Sequence, residues 1–374
     1  MGSFQVAIVR VERSEVFSAV RRAVNLVGGL QLGEGDLLII KPNMLNASTA
    51  LEGVTSDPRI VASLVKLARE RGARVVVGDS SGSSTPLRTR EVFKATGMED
   101  AVKNAGGEVV DFDSQQPMLV EVASNPPLKV VVPRLLIEAS MVVNVPKLKT
   151  HVQTIYTGAI KNIAMGCIIG QTKLLVHRLG RSCKDLSRLI VDIYASISSN
   201  VNLHVMDAIV GMEGNGPNVG DPVELNLVLA SRNALALDIA ATLLVGFDPE
   251  EIPTISYAMQ RGLGPSSIEE VELIGDAVSI PVKRFKKPSI FKTNLLSYLS
   301  SLAYPVLEWR PYIRRQQCAN CGSCADSCPT SAIDLQTSTI NYSKCIRCYV
   351  CYEVCSSRAI TLKRRISLPI SRLF

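Results

Sequence analysis

At 374 residues, 47% hydrophobic and only 20% charged, the chain has the apolar content to bury a large core, which excludes general disorder. No apolar run reaches the roughly 18 to 20 residues needed to cross a bilayer, and the opening MGSFQVAIVRVERSEV carries charges where a signal peptide would be apolar, so a cytoplasmic protein is expected. The net charge of +7 is uneven: residues 280–374 hold fifteen Lys/Arg against four Asp/Glu, whereas residues 1–279 carry a net −4.

Val- and Ile-rich runs alternate with helix-period segments along residues 1–279, the first expected domain. The runs predict strands over Phe4–Val11, Asp36–Lys41, Arg74–Gly78, Glu108–Asp111, Lys129–Val132, Met141–Val145, Asn202–Met206, Leu225–Ala230 and Val271–Ile274. Apolar residues at three- and four-residue steps predict helices over Glu15–Val27, Pro58–Arg71, Glu91–Asn104, Leu186–Ile197 and Ala234–Val245. Nearly all-apolar strands are buried on both faces, so the expected fold is α/β, a mostly parallel sheet with helices on both faces and an undetermined strand order.

Ligands in such sheets bind beyond the carboxyl ends of the strands. That rule selects Lys41 and Asn43 after the second strand, and Asp79 and Ser80 in GDSSGSS after the third. Pro146 ends the strand at Val145, so Lys147, Lys149 and His151 are expected in the loop beyond it, with Lys161 and Asn162 following Gly158. Asp207 follows Met206, and Glu213 lies in the loop GMEGNGPNVGDP. The lysines suit a phosphate or carboxylate, and His151 suits proton transfer or metal ligation. Each segment also has a plainer reading, as solvated surface or as turn chemistry, and His177 and His204 read as structural. No Walker loop or G-x-G-x-x-G follows a strand, so neither ATP hydrolysis nor a standard nicotinamide site is indicated.

Residues 280–316 read as a basic amphipathic linker with Lys283, Arg284, Lys286, Lys287 and Lys292, and with Leu295, Leu296, Leu299 and Leu302 on one helical face beside Tyr298. Packing on the α/β domain is the preferred role. A membrane surface or an acidic electron carrier is the alternative, and no motif supports specific nucleic-acid binding.

Eight of the ten cysteines fall within residues 317–364, ahead of a tail at 365–374. Cys318, Cys321, Cys324 and Cys328, then Cys345, Cys348, Cys351 and Cys355, repeat C-x2-C-x2-C-x3-C at an offset of 27 residues. This is the spacing of bacterial two-cluster ferredoxins, in which the fourth cysteine of each half serves the other half's cluster. One [4Fe–4S] cluster is thus expected on Cys318, Cys321, Cys324 and Cys355, and a second on Cys345, Cys348, Cys351 and Cys328. Zinc, the alternative metal, is usually held by paired C-x2-C knuckles rather than by triplets with a lone fourth cysteine. Ser356 stands where the first half has Pro329, so that turn is less rigid. Cys167 and Cys183 lie outside the array and read as small buried residues.

KPN at 41–43, GDSSG at 78–82, NVPKLKTH at 144–151, TGAIKN at 157–162 and MDAIVGMEGNGP at 206–217 together resemble the family called domain of unknown function 362. The resemblance covers roughly residues 5–275, and a C-terminal ferredoxin module is common among such proteins. It implies no named reaction. Two functions are therefore expected from the residues: a redox enzyme passing electrons from two clusters to an anionic substrate or cofactor at the rim, or a non-catalytic electron-transfer or cluster-handling protein whose large domain binds a redox partner protein or a small ligand. A cavity shared by rim and clusters favours the enzyme.

Overall fold

The computed structural model describes residues 4–12, 15–82, 88–277, 282–290 and 309–364. Twelve strands belong to the larger body: β1 (Phe4–Arg10), β2 (Leu37–Lys41), β3 (Arg74–Asp79), β4 (Glu108–Asp111), β5 (Pro117–Val122), β6 (Leu128–Pro133), β7 (Met141–Asn144), β8 (Lys147–His151), β9 (Ile155–Tyr156), β10 (Val201–Glu213), β11 (Asp221–Ser231) and β12 (Val271–Gly275). The main sheet runs β12-β1-β11-β10-β7-β2-β3-β4, with β8 beside the second half of β10. Every pairing along that path is parallel except those of β11, which is antiparallel to β1 and β10.

Side chains alternate across the strands, and both faces are covered. Val6, Ile8, Ile39, Val76 and Val142 face one core with the helices Gly158–Gly166, Cys183–Ile197 and Ala234–Leu244. Ala7, Val9, Leu38, Ile40, Val75, Val77 and Val143 face a second core with the helices Val16–Leu26 and Pro58–Arg69. Local signals start these helices: the Asp57 side chain accepts from Arg59 N with Pro58 in the first turn, and Ser182 and Asn233 accept from Asp185 N and Ala236 N.

Four sequence expectations change. Lys129–Val132 is a strand, but β6 pairs only with β5, as a separate hairpin. The strand at Leu225–Ala230 is antiparallel because the loop at 214–220 returns it from β10, which runs on through Asp207 to Glu213, so both residues lie in the strand and not in a loop after it. The helix expected over Glu91–Asn104 is two, Arg88–Ala95 and Met98–Asn104. Lys147–His151 is strand β8 rather than a loop: Pro146 ends β7, but the chain resumes at once, parallel to β10 at Lys147 and Lys149. The apolar face expected at Leu295–Leu302 lies outside the described residues.

The cysteine-rich body starts at Trp309, earlier than the spacing suggests, because Trp309–Ile313 pairs antiparallel with Ile360–Arg364. Its duplication extends to the backbone. Asn320 and Arg347, Gly322 and Tyr349, and Ser331 and Arg358 form three pairs, each 27 residues apart, that all take left-handed φ between 47° and 80°.

This body sits on the rim. Tyr352 OH donates to Asn215 O at 2.6 Å, Asn218 Nδ2 donates to Cys355 O at 2.6 Å, and Arg358 pairs with Glu52 at 2.7 Å. Val152, Ile290, Ile313, Tyr352 and Ile360 share one apolar cluster across the junction. The Asn/Gly/Pro loop after β10 is thus the cradle of the cysteine-rich body. Gly216 lets it lie against β8, since a Cβ there would stand 2.1 Å from Thr150 O.

Two outcomes follow. In Gly158→Ala the new methyl meets Asp238 Oδ1 at 2.4 Å and the backbone is held at φ 62°, so thermal unfolding should show a loss of at least about 2 kcal/mol. Asn218→Ala removes the hydrogen bonds to the Cys355 carbonyl and from the Asn46 amide, each of which keeps one other partner, a cost of about 0.5–1.5 kcal/mol per bond, so bound iron should be lost to a chelator faster while the far-UV spectrum stays unchanged.

Candidate functional site

The carboxyl ends of β2 and β3, strand β8, and the helices Gly158–Gly166 and Gln171–Leu179 converge on a cavity of about 80 Å³. Its remaining wall is the helix Val350–Val354, supplied by the cysteine-rich body through Val350, Glu353 and Val354. A volume of this order holds a few waters or one small anion. Leu45, Gly82, Met165 and Gly166 are its half-buried lining residues, and the polar ones lie deeper.

The period of two puts Lys147, Lys149 and His151 on one face of β8. Lys147 donates to Asp207 Oδ2 at 2.7 Å, with both side chains 0% exposed. Neither lines the cavity, and Glu213 instead pairs with Lys286 at 3.0 Å. Lys147, Asp207 and Glu213, expected as catalytic, are thus held in ion pairs away from the hollow. Asp79, Ser80, Lys41, Asn43, Lys149, His151, Lys161 and Asn162 do line it.

Lys41 Nζ donates to Asp79 Oδ1 at 2.8 Å, Pro42 O at 2.7 Å and Asn162 Oδ1 at 3.3 Å. Burial raises the Asp79 carboxyl and Lys41 works against that rise. A chain of amides fixes the floor, with Asn43 Nδ2 donating to Asn162 Oδ1 at 2.9 Å and Asn162 Nδ2 to Asn144 Oδ1 at 2.7 Å. Lys149 Nζ donates to Asn43 Oδ1 at 2.9 Å and Val54 O at 2.6 Å. Burial, then Lys161 and Lys147, pushes Lys149 well below the ordinary lysine range.

Lys161 and Asn162 ride on a helix that no residue of its own caps. The Asp238 carboxylate, from a neighbouring helix, accepts from Ala159 N at 2.6 Å and Ile160 N at 3.1 Å. Lys161 Nζ then lies 2.5 Å from His151 Nε2, and Glu353 Oε1 lies 3.2 Å from the same nitrogen. Burial above all, then Lys161, lowers His151 to about 4, so its ring is neutral at pH 7.

Three residues here escaped the sequence reading. His177, read as structural, and Lys173 stand one turn apart on the helix Gln171–Leu179 and both face the cavity. That i, i+4 pair was the available signal. Glu353 was legible as the acid inside CYEVC, between two cluster cysteines, but nothing local said that it would reach a site built by residues 41–177. His177 Nδ1 and Thr157 Oγ1 are buried without a hydrogen-bond partner, so the hollow keeps free polar capacity. His204, whose Nδ1 meets Asn144 Nδ2 at 3.0 Å, stays in the core.

The eight array cysteines fit iron–sulfur ligation. The Cys324 thiol feels Cys355, Cys321 and Cys318, while Cys345 and Cys348 feel Cys328, the crossed grouping that the spacing predicts. Ala332 N donates to Cys328 Sγ at 3.2 Å, and hydroxyls at the matched positions Thr330 and Ser357 approach Cys328 Sγ and Cys355 Sγ. Left-handed turns that direct backbone N–H groups inward suit an anionic cluster.

Residues 310–356 match the family described as 4Fe-4S dicluster domain. A thylakoid-associated protein of Synechocystis sp. is 27% identical over 288 residues, covering 75% of this chain and 85% of the relative. The pyruvate synthase subunit PorD of Methanothermobacter marburgensis is 32% identical over 56 residues, covering 15% of this chain and 68% of that one. Among solved structures, the lactate racemase apoprotein of Thermoanaerobacterium thermosaccharolyticum is similar at a TM-score of 0.41 and 15% identity; the match covers 62% of this chain and 54% of the racemase, little more than half its length. No helix among the described residues is long and apolar enough to cross a membrane. Residues 38–242 match the family described as Domain of unknown function (DUF362), and the chain belongs to that family, with a [4Fe–4S]-binding ferredoxin-like module joined to it.

Proposed function

We propose that the chain is an iron–sulfur oxidoreductase in which two [4Fe–4S] clusters exchange electrons with a small anionic ligand in the rim cavity. The observation that carries this reading is the position of Glu353. Its carboxylate lies in the cavity wall, 3.2 Å from His151 Nε2, and its backbone lies between Cys351 and Cys355. Two residues of chain span at most about 7 Å, so a ligand of each expected cluster begins within that distance of the cavity wall. When bound, the clusters supply single electrons. The chain's own residues do the rest: Lys149 holds the anion, His151 stands between Lys161 and Glu353 to move a proton, and the module's helix shuts out bulk water. A carrier that only recognised a partner would need neither buried lysines nor a wall shared with the cysteines.

Anaerobic EPR of the reduced protein tests the reading, with acetate and inorganic phosphate as probes. One of the two anions should alter the cluster signal saturably. Lys149→Met should weaken that response 10- to 100-fold, the loss of a charge-assisted hydrogen bond of about 1.5–3 kcal/mol. Lys147→Met should instead lower stability by about 3–5 kcal/mol, by stranding Asp207 in the core. A wild-type signal indifferent to both anions would refute the proposal.

A further inference from the structure

Hydrogen-bond counting sorts the cavity lysines. An ammonium carries three donors. Lys41 spends three, and Lys173 spends three, on Ser80 O at 2.9 Å, Ser80 Oγ at 2.8 Å and Ser81 O at 2.9 Å. Both are scaffold. Lys149 spends two, and Lys161 faces only His151.

His151 decides the state of Lys161. Its Nδ1 accepts from Gln153 N at 3.1 Å and Thr154 N at 3.3 Å, so that nitrogen bears no proton. The neutral ring therefore carries its hydrogen on Nε2. The Nε2–H has two neighbours, Glu353 Oε1 at 3.2 Å and Lys161 Nζ at 2.5 Å; an ammonium at the shorter distance would set N–H against N–H, whereas an amine offers the ring a lone pair. Lys149, by contrast, donates to two carbonyl oxygens, as a lysine head of either charge can. Burial lowers Lys161 as well, against the pull of Glu353.

We propose that Lys161 is a free amine that condenses with the carbonyl carbon of a small 2-oxo carboxylate in this cavity. The inference rests on reading the hollow as a small-anion site. The nitrogen bonds to the carbonyl carbon, and the carbonyl oxygen leaves as water, carrying the two amine hydrogens overall. His151 relays them through Nε2. No electron moves in this step. The remaining donor of Lys149 takes the carboxylate, and the unpartnered Thr157 Oγ1 and His177 Nδ1 lie within the same lining.

The test uses the anaerobic holoprotein at pH 7 with glyoxylate, the smallest 2-oxo acid, and cyanoborohydride, which fixes an imine as a stable amine. Peptide mapping should find Lys161 modified at least tenfold faster than the exposed Lys66. His151→Leu should slow labelling of Lys161 about a hundredfold, the usual contribution of a proton relay, with the circular dichroism and Lys66 labelling unchanged. Labelled Lys66 beside untouched Lys161 would overturn the covalent step. If acetate or phosphate still perturbs the cluster signal in that case, the anion site stands without the imine; if neither does, both readings fall.

Discussion

Withdrawing lysine heads from water at one edge of the sheet is the constraint that shapes this molecule. Lys41, Lys147, Lys149, Lys161 and Lys173 are all buried, the least so at 8% exposure. Each buried charge costs several kcal/mol unless carboxylates and carbonyls surround it or the proton leaves. The fold answers differently at each position. Asp207 neutralises Lys147, and Asp79 neutralises Lys41. Backbone and hydroxyl oxygens surround Lys173. Lys149 and Lys161 have no carboxylate of their own, and they are the two that face the cysteine-rich module.

That module lies where its charge matters. An oxidised cubane held by four thiolates is a net anion, and the described part of the module, residues 309–364, is rich in arginine toward its own surface. Toward the rim it offers Glu353 and a short helix whose flanking carbonyls are anchored by Asn46 and Asn218. Glu353 therefore brings a buried carboxylate of the module to the lysine-lined hollow, and the anchoring holds it there. The closing wall and part of the cysteine array are one element, since Glu353 lies between Cys351 and Cys355.

Much of the architecture was legible because local rules decide it. Nearly all the expected strands appear, since a strand buried on both faces must be apolar throughout, and the cysteine repeat announced a [4Fe–4S]-binding module by spacing alone. What failed to show were contacts across long separations. KLKTH reads as a polar loop after a proline, yet its alternation is that of a strand whose polar side chains find Asp207, Asn43 and Lys161. His177 looked structural because a lone histidine is more often structural than catalytic. Glu353 had no reason to be grouped with His151 until two bodies, 200 residues apart in the chain, met. Family membership came from motif strings at the strand ends, and the motif residues divide: Lys41 and Asp79 line the cavity as an ion pair, while Asn144 and Asp207 lie outside its lining.

The central claim is that the rim histidine and the clusters form one electronic site, and the chain contains only three histidines, His151, His177 and His204. Electron–nuclear double resonance on the reduced protein, labelled with ¹⁵N-histidine, measures their nearness directly. A resolved ¹⁵N coupling in the wild type that vanishes in His151→Gln agrees with the account. The same labelled protein with fully reduced clusters and no histidine coupling would contradict it.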